Sequence, residues 1–278
     1  MKKEDLLNQI KSKKSFLCIG LDTDIKKIPK FLLDSDDPIF NFNKKIIDAT
    51  NKYCIAYKPN IAFYESQGLK GWEALEKTID YINANYPEIF TIADAKRGDI
   101  GNTSSMYAKA YFETLNFDSI TISPYMGKDS VEPFLEYKNK HTILLALTSN
   151  IGAFDFQTKN VGNNSNQLYE EVIKTSTSWK NADQLMYVIG ATKATYLKKI
   201  RKIIPNNFLL IPGIGAQRGN LNDVCDNGMN QEVGLLINSS RCIIYASNET
   251  NFDLISAKNA QEIQSKMEDI LTKKGFIN

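Results

Sequence analysis

The stretch Asp94-Ala95-Lys96-Arg97-Gly98-Asp99-Ile100-Gly101-Asn102-Thr103 decides how the rest of the chain is read. It follows Ile89-Phe90-Thr91-Ile92-Ala93, a short apolar run with β-branched residues that reads as a buried strand. Side chains alternate faces along an extended backbone, so Asp94 and Lys96 are expected on one face. Gly98 is expected to allow a sharp turn. Asn102 and Thr103 suit the N-cap of a following helix whose pattern is Met106, Ala110 and Leu115. An acid and a base then stand together at a strand's exit, with a second acid, Asp99, around the corner. The same run of charges and glycines also fits a solvated loop between a strand and a helix. The neighbouring elements have to decide between the two.

Outward from this stretch the chain alternates strand and helix. Candidate strands are Phe16–Leu21, Cys54–Pro59, Ile89–Asp94, Ser119–Ser123, Thr142–Leu147, Leu185–Gly190, Phe208–Pro212 and Gly234–Asn238. Helical patterns lie between them, such as Trp72–Asn85, with Leu75, Ile79 and Ile82 on one face, and Thr195–Ile204. Eight short apolar strands separated by helices predict the α/β class and a (β/α)8 TIM barrel, with residues 1–278 as one domain. The connection from Leu147 to Leu185 is the longest. Its Ser149–Asn166 part is rich in Asn, Gly and Ser and is expected to be an elaborated loop, followed by a helix over Gln167–Trp179.

In such barrels the active site sits at the C-terminal strand ends, and the notable residues fall there. Asp22 follows the first strand, Lys58 ends the second, and Asp94 and Lys96 end the third. Ser123 ends the fourth, Thr148-Ser149-Asn150 follows the fifth, Pro212-Gly213-Ile214-Gly215-Ala216-Gln217 follows the seventh, and Arg241 follows the eighth. Each has a plain alternative. Lys58, in Tyr57-Lys58-Pro59-Asn60, fits a solvated strand end, Asp22 fits a turn or cap, and the Pro-Gly segment fits a tight turn.

Composition narrows the class. Hydrophobic residues make up 42% and charged residues 24% of 278, ordinary for a folded globular chain. A net charge of +2 gives no reason to expect nucleic acid. No apolar run approaches membrane-spanning length, and Met1–Ile10 is amphipathic rather than a signal peptide, so a cytoplasmic location is expected. Cys18, Cys54, Cys225 and Cys242 show no C-x-x-C spacing; Cys18 and Cys54 lie in apolar runs and read as reduced packing thiols.

The ordered set resembles the orotidine 5′-phosphate decarboxylase family, whose signature is similar to Asp-x-Lys-Arg-Gly-Asp-Ile-x-x-Thr at residues 94–103. Thr148-Ser149-Asn150-Ile151-Gly152 with Phe154-Asp155-Phe156-Gln157 looks like the bacterial type 2 branch, which usually has Pro where this chain has Ile151. The resemblance spans residues 16 to 245. It implies decarboxylation of orotidine 5′-phosphate (OMP) to UMP, the last step of de novo pyrimidine nucleotide synthesis, with no cofactor and no metal. It makes Lys96 the cation beside C6 and its proton donor. It sets Asp94 next to the substrate carboxylate and has Lys58 hold Asp94 and a ribose hydroxyl. Asp99 and Thr103 would reach the ribose of a neighbouring subunit's substrate, which implies a homodimer with shared sites. Ser149 would contact the pyrimidine. Asp22, Asn60, Ile100, Pro212, Gly213, Gln217 and Arg241 complete the implied substrate contacts, Gln217 and Arg241 at the phosphate.

The phosphate end also has a physical rationale. Gly213 and Gly215 let backbone N–H groups approach an anion closely, and loops after strands seven and eight often hold phosphate in barrels. Gln217 adds amide donors, and Arg241 a planar, permanently charged fork. Arg218 is expected to face solvent. For the chemistry, loss of CO2 from C6 of orotate leaves an in-plane carbanion that the ring cannot delocalise, so the protein must supply a charge and a proton.

Other readings stay open at this stage. Sugar-phosphate decarboxylases and aldolases of the same barrel superfamily carry a related Asp-x-Lys-x-x-Asp element and use Mg2+, for which Asp22, Asp94 and Asp99 offer oxygen ligands. Lys58 and Lys96 stand against this, since they occupy places where a cation would sit. A catalytically silent nucleotide-binding barrel and a Schiff base at Lys96 are the remaining alternatives. His141, at the start of strand five, is expected on the surface.

Overall fold

The computed structural model describes residues 1–162, 166–191, 194–213 and 220–278. Eight strands carry the fold: β1 (Leu17–Leu21), β2 (Ala56–Pro59), β3 (Phe90–Arg97), β4 (Ser119–Ile122), β5 (His141–Leu147), β6 (Leu185–Ile189), β7 (Leu209–Pro212) and β8 (Leu235–Ser239). Their hydrogen-bonded order, β1-β8-β7-β6-β5-β4-β3-β2, closes into a barrel of the (β/α)8 TIM type. The main helices are α1 (Lys3–Lys13), α2 (Pro38–Thr50), α3 (Leu69–Asn85), α4 (Gly101–Lys109), α5 (Leu168–Thr177), α6 (Ala194–Ile203), α7 (Leu221–Gly228) and α8 (Phe252–Lys273). Seven of the expected strands agree to within two residues at each end. The exception is β3, which runs on past Asp94 to Arg97. Strands covered on both faces become continuous apolar runs, and every residue of β1, β6 and β8 is buried.

By its internal packing the chain divides into two compact units. The first holds Met1–Ala95, Glu113–Asp118 and Asn238–Asn278. In it β1 pairs in parallel with β2, Gly20 opposite Lys58, and β2 with β3, Ala56 opposite Phe90. Phe42 of α2 stacks on Phe252 of α8 with ring centroids 5.2 Å apart. A buried polar network ties the exit of β1: Asn43 accepts from the Thr23 hydroxyl at 2.6 Å and donates to Tyr64 Oη at 2.9 Å, and Tyr64 donates to the Leu21 carbonyl at 3.0 Å.

The second unit holds Lys96–Phe112 and Ser119–Ile237. Here β4, β5, β6 and β7 pair in parallel, with an irregularity between Leu145 and Leu147. The long connection after β5 is structured in part: a one-turn helix, Ala153–Phe156, then a two-residue antiparallel ladder of Asn160–Val161 with Asn166–Gln167. Arg201 of α6 is a buried structural node. Its guanidinium donates to the carbonyls of Gly228 at 2.5 Å, Asn207 at 2.6 Å and Gly234 at 2.7 Å, and burial pushes its pKa down to about 10.

Two local expectations are corrected. In the turn after β3 the left-handed residues are Lys96, at φ +50°, and Gly101, at φ +52°. Asn102 and Thr103 lie inside α4 rather than at its cap, which Ile100 occupies without a side-chain bond. That shift changes the buried face: Ser104 and Ala108 are buried and Met106 is exposed. His141, expected on the surface, is only 8% exposed, because β5 begins one residue earlier than its apolar run suggests. Cys18, Cys54 and Cys225 are buried free thiols, as expected for packing residues, while Cys242 is partly exposed with Sγ 2.9 Å from Ser239 Oγ. Burial pushes the Cys54 thiol up to about 11 and the Cys18 thiol higher still.

Candidate active site

In the first unit the ends of β1, β2 and β3 bring three predicted residues together. Lys58 Nζ donates to Asp94 Oδ2 at 2.9 Å and lies 3.8 Å from Asp22 Oδ1. The Lys58 side chain is 5% exposed, Asp94 12% and Asp22 21%. Burial disfavours the Lys58 ammonium, but the carboxylates of Asp94 and then Asp22 outweigh it and hold its pKa above the ordinary lysine value. Among the described residues, Asp22 Oδ1 is buried without a hydrogen-bond partner. Asn60 pairs by backbone with Asp94 and caps the short helix Ile61–Glu65 by accepting from Ala62 N–H at 3.3 Å.

The backbone at Asp22 is fixed from behind. Tyr245 Oη donates to the Asp22 carbonyl at 2.7 Å and accepts from the Asp24 N–H at 2.6 Å. Gly20 lies beside Lys58 in the β1–β2 register, and a Cβ there would overlap Ser240 Oγ, so only glycine fits. Sequence reasoning singled out neither residue. A glycine inside an apolar strand is the signal that marks Gly20; Tyr245 carries none. Arg241 opens a one-turn helix, Arg241–Ile244, and is exposed.

In the second unit β3 ends at Lys96 and Arg97. Lys96 is exposed, and its N–H donates to Thr121 Oγ1 on β4 at 2.9 Å. Its φ of +50° departs from the extended geometry behind the same-face expectation for Asp94 and Lys96. Arg97 donates to Tyr111 Oη at 2.9 Å, and its guanidinium lies 5.5 Å from the Tyr107 ring centre and 5.6 Å from that of Tyr111. Asp99 is partly exposed and accepts from the Ile100 N–H at 2.8 Å; Ile100 and Thr103 are exposed.

Ser149 follows β5 and is partly exposed. Its backbone touches Gly190, where an added Cβ would lie 2.6 Å from Ser149 Cα, so Gly190 permits the close approach. Gln157 braces the same loop by accepting from the Thr148 N–H at 2.8 Å. Ile151 points out, 87% exposed. Pro212 ends β7, and Gly213 adopts φ +97°, a conformation that favours glycine. Gly215, Gln217 and Arg218 lie outside the described residues.

A closed parallel β/α barrel with a buried ammonium near two carboxylates at its strand ends belongs to the class of (β/α)8 barrel enzymes. The family model of the "Orotidine 5'-phosphate decarboxylase / HUMPS family" matches residues 15–251, and the chain belongs to that family. It is 64% identical over 273 residues to the orotidine 5′-phosphate decarboxylase of Christiangramia forsetii, covering 98% of this chain and all of the relative. Among solved structures, the OMP decarboxylase of Leishmania donovani matches with a TM-score of 0.81 and 36% identity, covering 97% of this chain and 100% of that one. The UMP synthase of the same organism matches with a TM-score of 0.85 and 37% identity; the match covers 97% of this chain and 56% of that longer one.

Proposed function

We propose that this chain decarboxylates OMP to UMP without a metal or organic cofactor, as a single barrel domain over residues 1–278. One observation carries the reading: a buried Lys58 ammonium, 2.9 Å from Asp94 and 3.8 Å from Asp22, stands where a divalent cation would otherwise bridge the two carboxylates. Asp22 Oδ1, buried with no hydrogen-bond partner among the described residues, is an acceptor for a ribose hydroxyl of the bound nucleotide.

In the proposed reaction the bond from C6 to the carboxylate carbon breaks, and its electron pair stays on C6 as CO2 departs. A proton from Lys96 Nζ then bonds to C6, giving UMP, and the neutral amine regains a proton from solvent. Asp94 faces the substrate carboxylate; two such anions about 4 Å apart repel by roughly 4 kcal/mol at an effective dielectric near 20. That repulsion is relieved as CO2 leaves, while attraction between Lys96 and the growing carbanion rises. Pro212, Gly213, Gln217 and Arg241 hold the phosphate, whose binding energy offsets the strain at the other end. Ser149 contacts the pyrimidine, and Asn60 and Ile100 line the nucleotide.

Asp99 and Thr103 serve the site of a second copy in a cytoplasmic homodimer. The exposed Ile100 and Met106 on the same segment suit burial against such a copy. Among the described residues, no helix is long and apolar enough to cross a membrane. The decisive test is the absorbance change of OMP on mixing with purified protein, with and without EDTA. Turnover in both is expected. No turnover refutes the activity, and loss of turnover with EDTA restores the Mg2+ reading.

A further inference from the structure

We propose that Thr121 is a positioning residue for Lys96, its hydroxyl holding the Lys96 peptide in the left-handed conformation from which the side chain leaves β3; this rests on Lys96 being the proton donor. At φ +50°, Lys96 occupies a region that few non-glycine residues adopt. Such residues persist only where the surroundings over-determine them, and they gather at functional sites.

The surroundings here are specific. The Lys96 N–H donates to Thr121 Oγ1 at 2.9 Å, and Thr121 is buried on β4. One residue on, the Arg97 carbonyl accepts from the Ser123 N–H at 2.8 Å. The Arg97 guanidinium is clamped by Tyr111 Oη at 2.9 Å and by the rings of Tyr107 and Tyr111. The last two contacts fix Arg97; the Thr121 bond acts on Lys96 itself. In a regular parallel ladder the N–H of a strand residue bonds a carbonyl of its neighbour. At Lys96 a side-chain hydroxyl of β4 accepts from the N–H, at the residue where the backbone leaves the strand direction.

The test uses the full-length enzyme. Thr121→Val keeps the branched shape and removes the acceptor. It should lower kcat for OMP roughly 10²-fold, the scale of an ångström-sized displacement of a reacting group. KM should change little, because the phosphate end still binds. Thr121→Ser, which keeps a hydroxyl, should recover most of kcat. Equal losses in Thr121→Val and Thr121→Ser would mean a steric role and overturn the proposal.

The strain has its own readout, independent of activity. Lys96→Gly should melt above Lys96→Ala, the reverse of the order expected at an extended strand position. If Ala melts higher, the left-handed conformer is wrong and the proposal falls, even should Thr121→Val fail to fold. Parental activity in Lys96→Ala would sink the donor assignment on which the inference rests. An inactive Lys96→Ala beside a fully active Thr121→Val would overturn the positioning role alone.

Discussion

Replacing Lys58 by Met should expose how much of the first unit's charged cluster is held by one ammonium. Distances of 2.9 Å to Asp94 and 3.8 Å to Asp22 correspond to gross attractions of about 6 and 4 kcal/mol at an effective dielectric of 20. Desolvation of all three groups cancels much of that, and removing one partner of a buried pair typically costs about 3–5 kcal/mol. For a chain of this size the loss should lower Tm by roughly 10 °C at pH 8. In Lys58→Met two carboxylates repel without a cation. On the alkaline side the parent has a raised lysine pKa, so its advantage is intact below the ordinary lysine value of about 10.5. It is lost as pH rises through the raised value. Thermal and urea melts from about pH 7 to above 10.5, with Lys58→Met, Asp94→Asn and the double variant, measure this. The double variant should lose at least about 1 kcal/mol less than the sum of the singles. A Lys58→Met protein as stable as the parent at pH 8, with no pH dependence to the difference, would refute the reasoning.

Three further outcomes are expected. Arg241→Ala should weaken UMP binding and OMP turnover but leave the slow turnover of a nucleoside lacking phosphate unchanged, since that substrate offers Arg241 nothing to hold; equal losses would make Arg241 structural. Lys96→Ala and Asp99→Ala homodimers should each be nearly inactive. Mixed under subunit exchange they should recover toward roughly one quarter of parental activity, because about half the dimers are mixed and each has one intact site of two; verified heterodimers without activity would exclude the shared site. Arg201→Met should cost about 2–4 kcal/mol in urea unfolding by stranding carbonyls that Arg201 now satisfies, with kcat of the folded protein unchanged.

The strands were legible because parallel barrel strands are buried on both faces and leave continuous apolar runs such as Leu185–Ile189. The acids and bases were legible by position, and Lys58, Asp22 and Asp94 do meet. What escaped reading was backbone conformation and side-chain support. A lysine carries no sign that it will adopt φ +50°. Thr121 is one β-branched residue among many in strands, and its bond to Lys96 depends on how neighbouring strands are placed. His141 looked peripheral because polar residues at strand starts usually are, whereas pairing with Ser119 draws it inside.

The cysteine pattern makes a spectroscopic handle available without engineering. Cys18, Cys54 and Cys225 are sealed in the interior, and the Cys18 and Cys54 thiols resist ionisation, which is the step that makes sulfur nucleophilic. Cys242 is partly open to solvent and adjoins Arg241 in the chain. A maleimide dye added to the native fold should therefore attach at one position, covalently next to the arginine assigned to the phosphate. Its emission would follow ligand occupancy in real time on otherwise unaltered protein.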